Sequence, residues 1–544
     1  MSDKNKFSLE ETIIKRAIEE KVFTFDAFQK TERAVLRAFK QPFPKGADLL
    51  RTYRRMVAQG KIGRNESLER VLRLNRIRTL SGVAVVAILT KPFECPGLCI
   101  YCPSEKDIPK SYLADEPAVM RAVLNDFDPR RQVEMRLRAL ELTGHPTDKI
   151  ELIVMGGTFS TLDRDYQVDF IRGSFDALNE CDTEDLDEAF GVNERAPHRC
   201  VGLTLETRPD CIDGEEILWV RRLGATRVEL GVQSIYDDVL KLIQRGHLTQ
   251  ETISATRLLK DAGFKVGYHI MPNLPGSELS RDGQMFKILF ENPDFRPDQL
   301  KIYPCVVVKE AELYNWWREG RYEPYGEEEV VFLLAEVKKS LPYYVRISRL
   351  FRDIPSPRIE AGVKKVNLRQ LVAKEMRKRG WRCRCIRCRE IRGEVDFREL
   401  GNAILFRHDY QASGGREIFL SFEDPQREHI LSFLRLRIPS HHFSGEKHFI
   451  PELEGAAIIR EVHTYGELVP LGEIREAAQH RGLGMKLIKE AEDIALMEFG
   501  IRKMAVISGV GVREYYRRLG YDLHGTYMIK LQGSDLHTTI NQAQ

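Results

Sequence analysis

The chain has 544 residues, 42% of them hydrophobic and 30% charged, with 84 Lys+Arg against 81 Asp+Glu. That length predicts three or four domains, each able to bury its own core, and the balanced charge excludes binding of nucleic acid by overall excess, leaving only local clustering. No apolar run approaches a bilayer span and the start Met1-Ser2-Asp3-Lys4 is too polar for a signal peptide, so no membrane is expected and a cytoplasmic location is.

Residues 1–75 read as helical. Ser8 and Glu11 form a capping box ahead of Ile13, Ile14, Ala17 and Ile18, which are apolar at helical spacing. Further helices are predicted over 31–39 and 47–59. The last carries Arg51, Arg54 and Arg55, and Lys61, Arg64, Arg70, Arg73, Arg76 and Arg78 follow with few acids between them. Such a stretch is either a solvated face or a phosphate-binding one.

From 76 to 360 apolar strands alternate with amphipathic helices. Strands are predicted over 83–89, 150–155, 200–205, 227–232, 266–271 and 300–308, with helices over 119–142, 165–179, 215–223, 237–244 and 249–262. Repeated strand–helix units with right-handed crossovers give a parallel sheet, here a partial barrel of six units. Chemistry in such barrels collects at the carboxyl ends of the strands. There the sequence has Cys95-Pro-Gly-Leu-Cys99-Ile-Tyr-Cys102, then Gly156-Gly157-Thr158, Glu206-Thr207-Arg208-Pro209-Asp210, Gly231-Val232-Gln233-Ser234, Met271-Pro272-Asn273 and Lys301-Ile302-Tyr303.

Ten cysteines in so long a chain, several in short motifs, point to metal chemistry in a reducing compartment rather than to disulfides. Cys95, Cys99 and Cys102 on one loop can hold three irons of a 4Fe-4S cluster and leave the fourth open to chelate a small molecule. Zinc, or three unrelated buried thiols, are the competing readings. The spacing resembles that of the radical SAM superfamily, in which the open iron binds S-adenosyl-L-methionine (SAM) and cleaves it reductively to a radical. With Glu206–Asp210 and Gly231–Ser234 downstream, the chain resembles the catalytic subunit of Elongator and its single-chain relatives. That resemblance implies that Gly156 and Gly157 contact the methionyl amine of SAM, that Glu206 and Arg208 hold its ribose and carboxylate, and that Gln233 lines the same pocket. Lys301 and Tyr303 face the right rim to handle an acyl substrate. The gap Pro96-Gly97-Leu98 is shorter than family members often have.

Residues 343–352 interleave aromatics with arginines, which suits either stacking on splayed bases or a half-buried strand with a basic outer face. The stretch 361–393 is a basic linker containing Cys383-Arg384-Cys385-Ile386-Arg387-Cys388, good zinc-ligand spacing for Zn(2+) with a fourth ligand from elsewhere, Cys305 or a histidine among the candidates.

From 394 to 544 strands are predicted over 403–406, 417–422, 430–438, 455–462 and 468–471. Gln479-His480-Arg481-Gly482-Leu483-Gly484 then opens a helix to about 499, followed by a strand–helix unit at 503–508 and 512–519. A glycine turn at a helix start aims backbone N–H groups at an anion. It resembles the acetyl-CoA pyrophosphate loop of GNAT acetyltransferases, a mixed α/β fold. By that resemblance Tyr515 or Tyr516 protonates the leaving thiolate, one at most, since adjacent helical residues point about 100° apart. Glu461 and His463 are candidate bases.

The pairing of a radical-generating barrel with an acetyl-CoA domain resembles the Elongator catalytic subunit across nearly the whole length. It implies modification of tRNA: carbon from acetyl-CoA attached to C5 of the wobble uridine, with the anticodon arm held by the basic segments and an electron donor required. In the mechanism proposed for the family a radical formed on the acetyl methyl adds to C5. The rival readings are a protein lysine acetyltransferase with a vestigial barrel, a radical SAM methyltransferase or methylthiotransferase, and a non-catalytic tRNA scaffold. Homodimerisation is left open.

Overall fold

The computed structural model describes residues 8–22, 24–39, 43–44, 46–73, 82–365, 367–391, 403–465 and 482–533. The three predicted amino-terminal helices form, over Leu9–Glu19, Phe25–Phe39 (longer at its start than expected) and Gly46–Ala58, and a fourth, Glu66–Leu72, is an addition the sequence reading lacks. Ser8 caps the first by accepting from the Glu11 amide. Their apolar faces meet in a core of their own around Ile13, Val35, Tyr53 and Leu68.

The barrel strands are β1 (Ala84–Leu89), β2 (Lys149–Met155), β3 (Arg199–Thr207), β4 (Arg227–Gln233), β5 (Lys265–Ile270), β6 (Gln299–Ile302), β7 (Val307–Val308), β8 (Arg346–Arg349) and β9 (Ile359–Ala361). Seven of them make one all-parallel open sheet, in the order β1-β2-β3-β4-β5-β6-β8, while β7 and β9 form a small antiparallel ribbon. The predicted partial barrel is therefore present, with one strand more than expected.

Two local expectations are corrected, and one segment left open takes its strand alternative. The helix expected over 119–142 is two, Pro117–Leu124 and Pro129–Leu142, because Asp128 caps a new helix whose first residue is proline. The strand expected over 300–308 breaks at Tyr303-Pro304-Cys305, since proline cannot donate to a ladder. The segment 343–352 is the edge strand β8 and its flanks. Its Tyr344 ring is buried on Tyr410 (centroids 4.0 Å apart), Arg352 pairs with Glu116 (3.3 Å) and Arg349 with Asp353 (2.7 Å), so these groups are committed within the fold.

The carboxyl-terminal strands are β10 (Ile404–Ala412), β11 (Gly415–Glu423), β12 (Ile430–Ile438), β13 (Ala456–Thr464), β14 (Lys503–Val506), β15 (Asp522–His524) and β16 (Tyr527–Leu531). They form a mixed sheet in the order β10-β11-β12-β13-β14-β16-β15, in which only β13 and β14 run parallel. Their pairing ends at Ile459↔Val506, and β13 runs on to Thr464 beside β12 alone. The helix expected over 512–519 is shorter, Arg513–Arg517. The strand expected over 468–471 lies outside the described residues.

The second sheet packs on the amino-terminal rim of the barrel. Barrel residues just before or at the start of strands (Lys260, Asp261, Phe264, Asp298, Arg346) meet side chains of β11, β12 and β13 and of Tyr465 just after β13. Arg460 is fully buried and donates to Asp298 (2.7 and 2.8 Å), Glu417 (2.8 Å) and the Phe264 carbonyl (2.6 Å). Arg437 bonds Asp261 (2.6 Å) and Glu417 (3.1 Å), and Arg435 bonds Glu461 (2.8 Å). Buried charges persist only when paired, and here each pair spans or braces the joint. Gly509 and Gly511 let the backbone before the last helix lie against β3: a Cβ on Gly509 would stand 2.3 Å from the Val201 carbonyl oxygen.

Candidate active site at the carboxyl rim

The strand ends converge as the barrel rule requires. The cysteine loop follows β1, and its Ile100 amide bonds the Ile243 carbonyl (3.2 Å). Thr158, after the glycine pair that ends β2, sits 3.8 Å from Cys95 Sγ. Gly156 has φ +137°, and a Cβ there would lie 2.0 Å from Thr90 Oγ1, so no other residue fits. Gln233, the last residue of β4, adopts φ +67°, which a side-chain-bearing residue avoids unless its surroundings enforce it. The strand thus ends in a conformation that its surroundings have to hold.

Arg208 is buried and holds Asp210 in a two-pronged pair (2.9 and 2.8 Å), while its Nη1 has no partner and points at the cysteine loop, 2.5 Å from where a Cβ on Gly97 would be. An unpaired buried guanidinium nitrogen is costly, and an anion on that loop would satisfy it. The three sulfurs also fit a cluster better than a single ion. Among the described residues, the metal-ligand groups whose atoms all lie within 4.8 Å of one another are Cys383/Cys385/Cys388 and Glu206/Glu229/His269, not Cys95/Cys99/Cys102. Sulfurs spread more widely suit thiolates that each ligate a different iron of one cluster.

Deeper in the barrel, Glu206 accepts from Lys301 Nζ (2.8 Å) and Tyr112 (3.2 Å), and Glu229 accepts from His269 (3.0 Å) and also pairs with Lys301. Burial opposes the charge on Lys301, but the two carboxylates outweigh it and hold the ammonium well above its ordinary range. Lys301 is thus a donor and a positive charge, with no lone pair for nucleophilic attack. Tyr303 packs edge-on against His269 (5.7 Å). Sequence reading found Glu206, Lys301 and Tyr303 and missed Glu229, His269 and Tyr112. The alternation along β4 and β5 placed Glu229 and His269 inward and was the available signal. Beside this cluster a space of about 570 Å³ opens to solvent, walled by Tyr101, Met271, Tyr303, Phe351, Arg352 and Ile354.

Elsewhere, the Cys383, Cys385 and Cys388 sulfurs gather within 4.8 Å, and Lys338 Nζ donates to Cys383 (3.2 Å) and Cys388 (3.4 Å). Cys305 is buried in another cluster with Val307 and Tyr322, so it is not the fourth ligand. On the second sheet, Gln479, His480 and Arg481 lie outside the described residues. Gly482 and Leu483 begin the helix Leu483–Phe499, and a Cβ on Gly484 would stand 3.4 Å from both Thr464 Oγ1 and the Tyr515 hydroxyl. Tyr515 therefore reaches the helix start, whereas the Tyr516 ring is buried in the sheet's core beside Tyr521. Burial works against ionisation of Glu461, yet Lys265 and Arg435 hold its pKa down to about 2. That removes it as a general base near neutral pH. The His463 ring lies against Tyr465 (4.3 Å). Part of the basic amino-terminal face is paired: Arg51 with Asp48 and Arg64 with Glu69 locally, Arg55 with Glu11 of the first helix and Arg54 with the Glu141 carbonyl. Arg76 and Arg78 lie outside the described residues.

Comparison with known proteins places this arrangement. The radical SAM superfamily matches residues 92–282 and the Radical_SAM C-terminal domain residues 297–378. A tRNA uridine(34) acetyltransferase of Methanocaldococcus infernus is 50% identical over 474 residues, covering 85% of this chain and 88% of the relative. Elongator complex protein 3 of Schizosaccharomyces pombe is 43% identical over 86% of this chain and 88% of its own length. The chain belongs to this family. The solved structure of archaeal M. infernus Elp3 with an N-terminal deletion (1–46) matches 83% of this chain and 99% of its own at 47% identity, with a TM-score of 0.72. The radical SAM half-barrel with a mixed α/β region behind it is thus the architecture of the family. Among the described residues no helix is long and apolar enough to cross a membrane.

Proposed function

We propose that this chain modifies the wobble uridine(34) of tRNA, using acetyl-CoA as carbon source and SAM as radical source. The observation that carries the reading is the convergence, on one barrel rim, of three spread cysteines, an unpaired Arg208 nitrogen and the strained Gln233, in a chain half identical to a tRNA uridine(34) acetyltransferase.

A cluster held by Cys95, Cys99 and Cys102 supplies one-electron reduction of SAM when bound. Gly156 and Gly157 leave room for close approach of the SAM amine, and Arg208 offers its free nitrogen to the carboxylate. Glu206, already tied to Lys301 and Tyr112, has the chemistry to accept from ribose hydroxyls. Lys301 and Tyr303 present donors at the same mouth, where an acyl oxygen can be oriented without proton loss from the ammonium. Tyr101, Met271 and Phe351 give that mouth an apolar wall, on which a bound substrate displaces water. The start of the helix Leu483–Phe499 is a ready anion site for the acetyl-CoA pyrophosphate, and Tyr515 is the better placed of the two tyrosines to donate to a departing thiolate. Cys383, Cys385 and Cys388 offer three thiolates for Zn(2+), with Lys338 beside them as a compensating charge. The basic linker and amino-terminal arginines then face the anticodon arm, in the cytoplasm.

The test is anaerobic turnover of the reconstituted full chain with dithionite, SAM, acetyl-CoA and unmodified tRNA, followed by nucleoside mass spectrometry. The expected product is carboxymethyluridine, absent with Cys99→Ala and reduced with Tyr515→Phe more than with Tyr516→Phe. Acetylated lysines on added protein, with unchanged tRNA, would overturn the reading.

A further inference from the structure

Arg245 lies on the segment after the helix Asp237–Leu242 and is not part of the site as derived so far. It is 6% exposed. Its Nε and Nη2 both donate to the Gly231 carbonyl (3.2 and 2.6 Å), at the carboxyl end of β4, and its Nη1 reaches Cys99 Sγ at 3.6 Å. Two nitrogens are thus anchored on the barrel wall and the third is aimed at one sulfur.

The surrounding sequence is built for this pose. A Cβ on Gly231 would stand 2.8 Å from Arg245 Nη2, so the glycine there leaves space for the guanidinium. The Ile100 amide bonds the Ile243 carbonyl, so the cysteine loop and the segment bearing Arg245 are fastened by backbone. Asp210, the nearby acid, is already taken by both prongs of Arg208, and the positive charge of Arg245 is left to face the loop.

We propose that Arg245 is a positioning residue for the cluster: its N–H···S bond to Cys99 and its charge favour the reduced state, easing delivery of the electron that cleaves SAM. The inference rests on the cluster reading above. Physically, one-electron reduction adds a negative charge at the sulfurs, and a fixed cation with a hydrogen bond to one of them stabilises the more negative state. No bond is made or broken by Arg245 itself, and the electron comes from a low-potential one-electron donor, dithionite in the test.

The experiment is mediated redox titration of the reconstituted full chain, followed by electron paramagnetic resonance of the reduced cluster, with iron and sulfide assayed in parallel. Arg245→Met is expected to retain iron and sulfide while its reduced-to-oxidised ratio, at the potential where the parent is half reduced, falls about tenfold, or about 59 mV for one electron. Should Arg245→Met fail to load iron, the same titration on Arg245→Gln decides, because glutamine can still hold the Gly231 carbonyl; its ratio is expected to fall at least about threefold. A ratio within twofold of the parent in the loaded variant overturns the proposal. A parent chain that takes up no iron, or iron retained by a variant with all three loop cysteines replaced by alanine, overturns the cluster reading and this proposal with it. That failure shows before any Arg245 variant is read.

Discussion

Arg460→Met tests whether the two sheets are one cooperative body. Arg460 donates two bonds to Asp298, two to Glu417 and one to the Phe264 carbonyl, all buried. Methionine fills similar volume but leaves both carboxylates short of a partner. They are not bare: Asp298 keeps Lys260 (3.5 Å), Arg435 (3.5 Å) and the Val266 amide (2.9 Å), and Glu417 keeps Arg437 (3.1 Å). Breaking a buried pair costs ~3–5 kcal/mol, so the residual partners put this variant near the lower end, about 3 kcal/mol. That is a large share of the ~5–15 kcal/mol that stabilises a typical domain. The four tryptophans (Trp219, Trp316, Trp317, Trp381) all precede the second sheet. Denaturant unfolding followed by tryptophan fluorescence therefore reports the barrel side, and far-ultraviolet circular dichroism reports both. The expected result is a lower midpoint, with the circular dichroism transition moving ahead of the fluorescence one. A loss within the ~1 kcal/mol typical of an exposed ion pair, with coincident transitions, would refute the reasoning.

Gly509→Ala should separate the same joint by sterics, since its Cβ would stand 2.3 Å from the Val201 oxygen; a cost of about 2–3 kcal/mol is expected by denaturation, and a change below ~0.5 would count against the packing. Glu461 is depressed from 4.5 to about 2, so its stabilisation is complete above pH 4.5 and is lost as pH falls through 2. The shift is worth about 3 kcal/mol, and Glu461→Gln should be weaker near neutrality and lose less between about pH 6 and pH 3 than the parent; equal losses would contradict this. Cys385→Ser should cut zinc content of the purified chain about tenfold by elemental analysis; unchanged zinc would remove these sulfurs as its ligands.

The relation between the two halves changes how transfer between them must be viewed. The cysteines occupy the carboxyl rim of the barrel and the second sheet covers the amino rim, so strands about 20 Å long, at ~3.3 Å per residue, lie between them. Under the proposed function, an acetyl group taken from acetyl-CoA would have to pass from one half to the other, through or around the barrel.

The sequence by itself determined the repeating strand–helix pattern, the helical start, the mixed carboxyl-terminal unit and the rim motifs. Those signals are local: period-two and period-3.6 hydrophobicity, caps, and cysteine and glycine spacing act over a few residues. It put Cys95, Cys99, Cys102, Gly156, Glu206 and Arg208 at strand ends, where chemistry collects in a parallel barrel. Only the tertiary structure decided that residues 343–352 hold the strand Arg346–Arg349, since their aromatics find partners such as Tyr410 far along the chain. It alone put the Tyr515 hydroxyl beside the helix start and the Tyr516 ring in the core, and brought Arg55 to Glu11 and Arg54 to the Glu141 carbonyl. Arg245 is the sharpest case. Nothing around it in sequence marks it, because its meaning comes from Gly231 and Cys99, and the contacts that join them are made by strand order rather than by neighbouring residues.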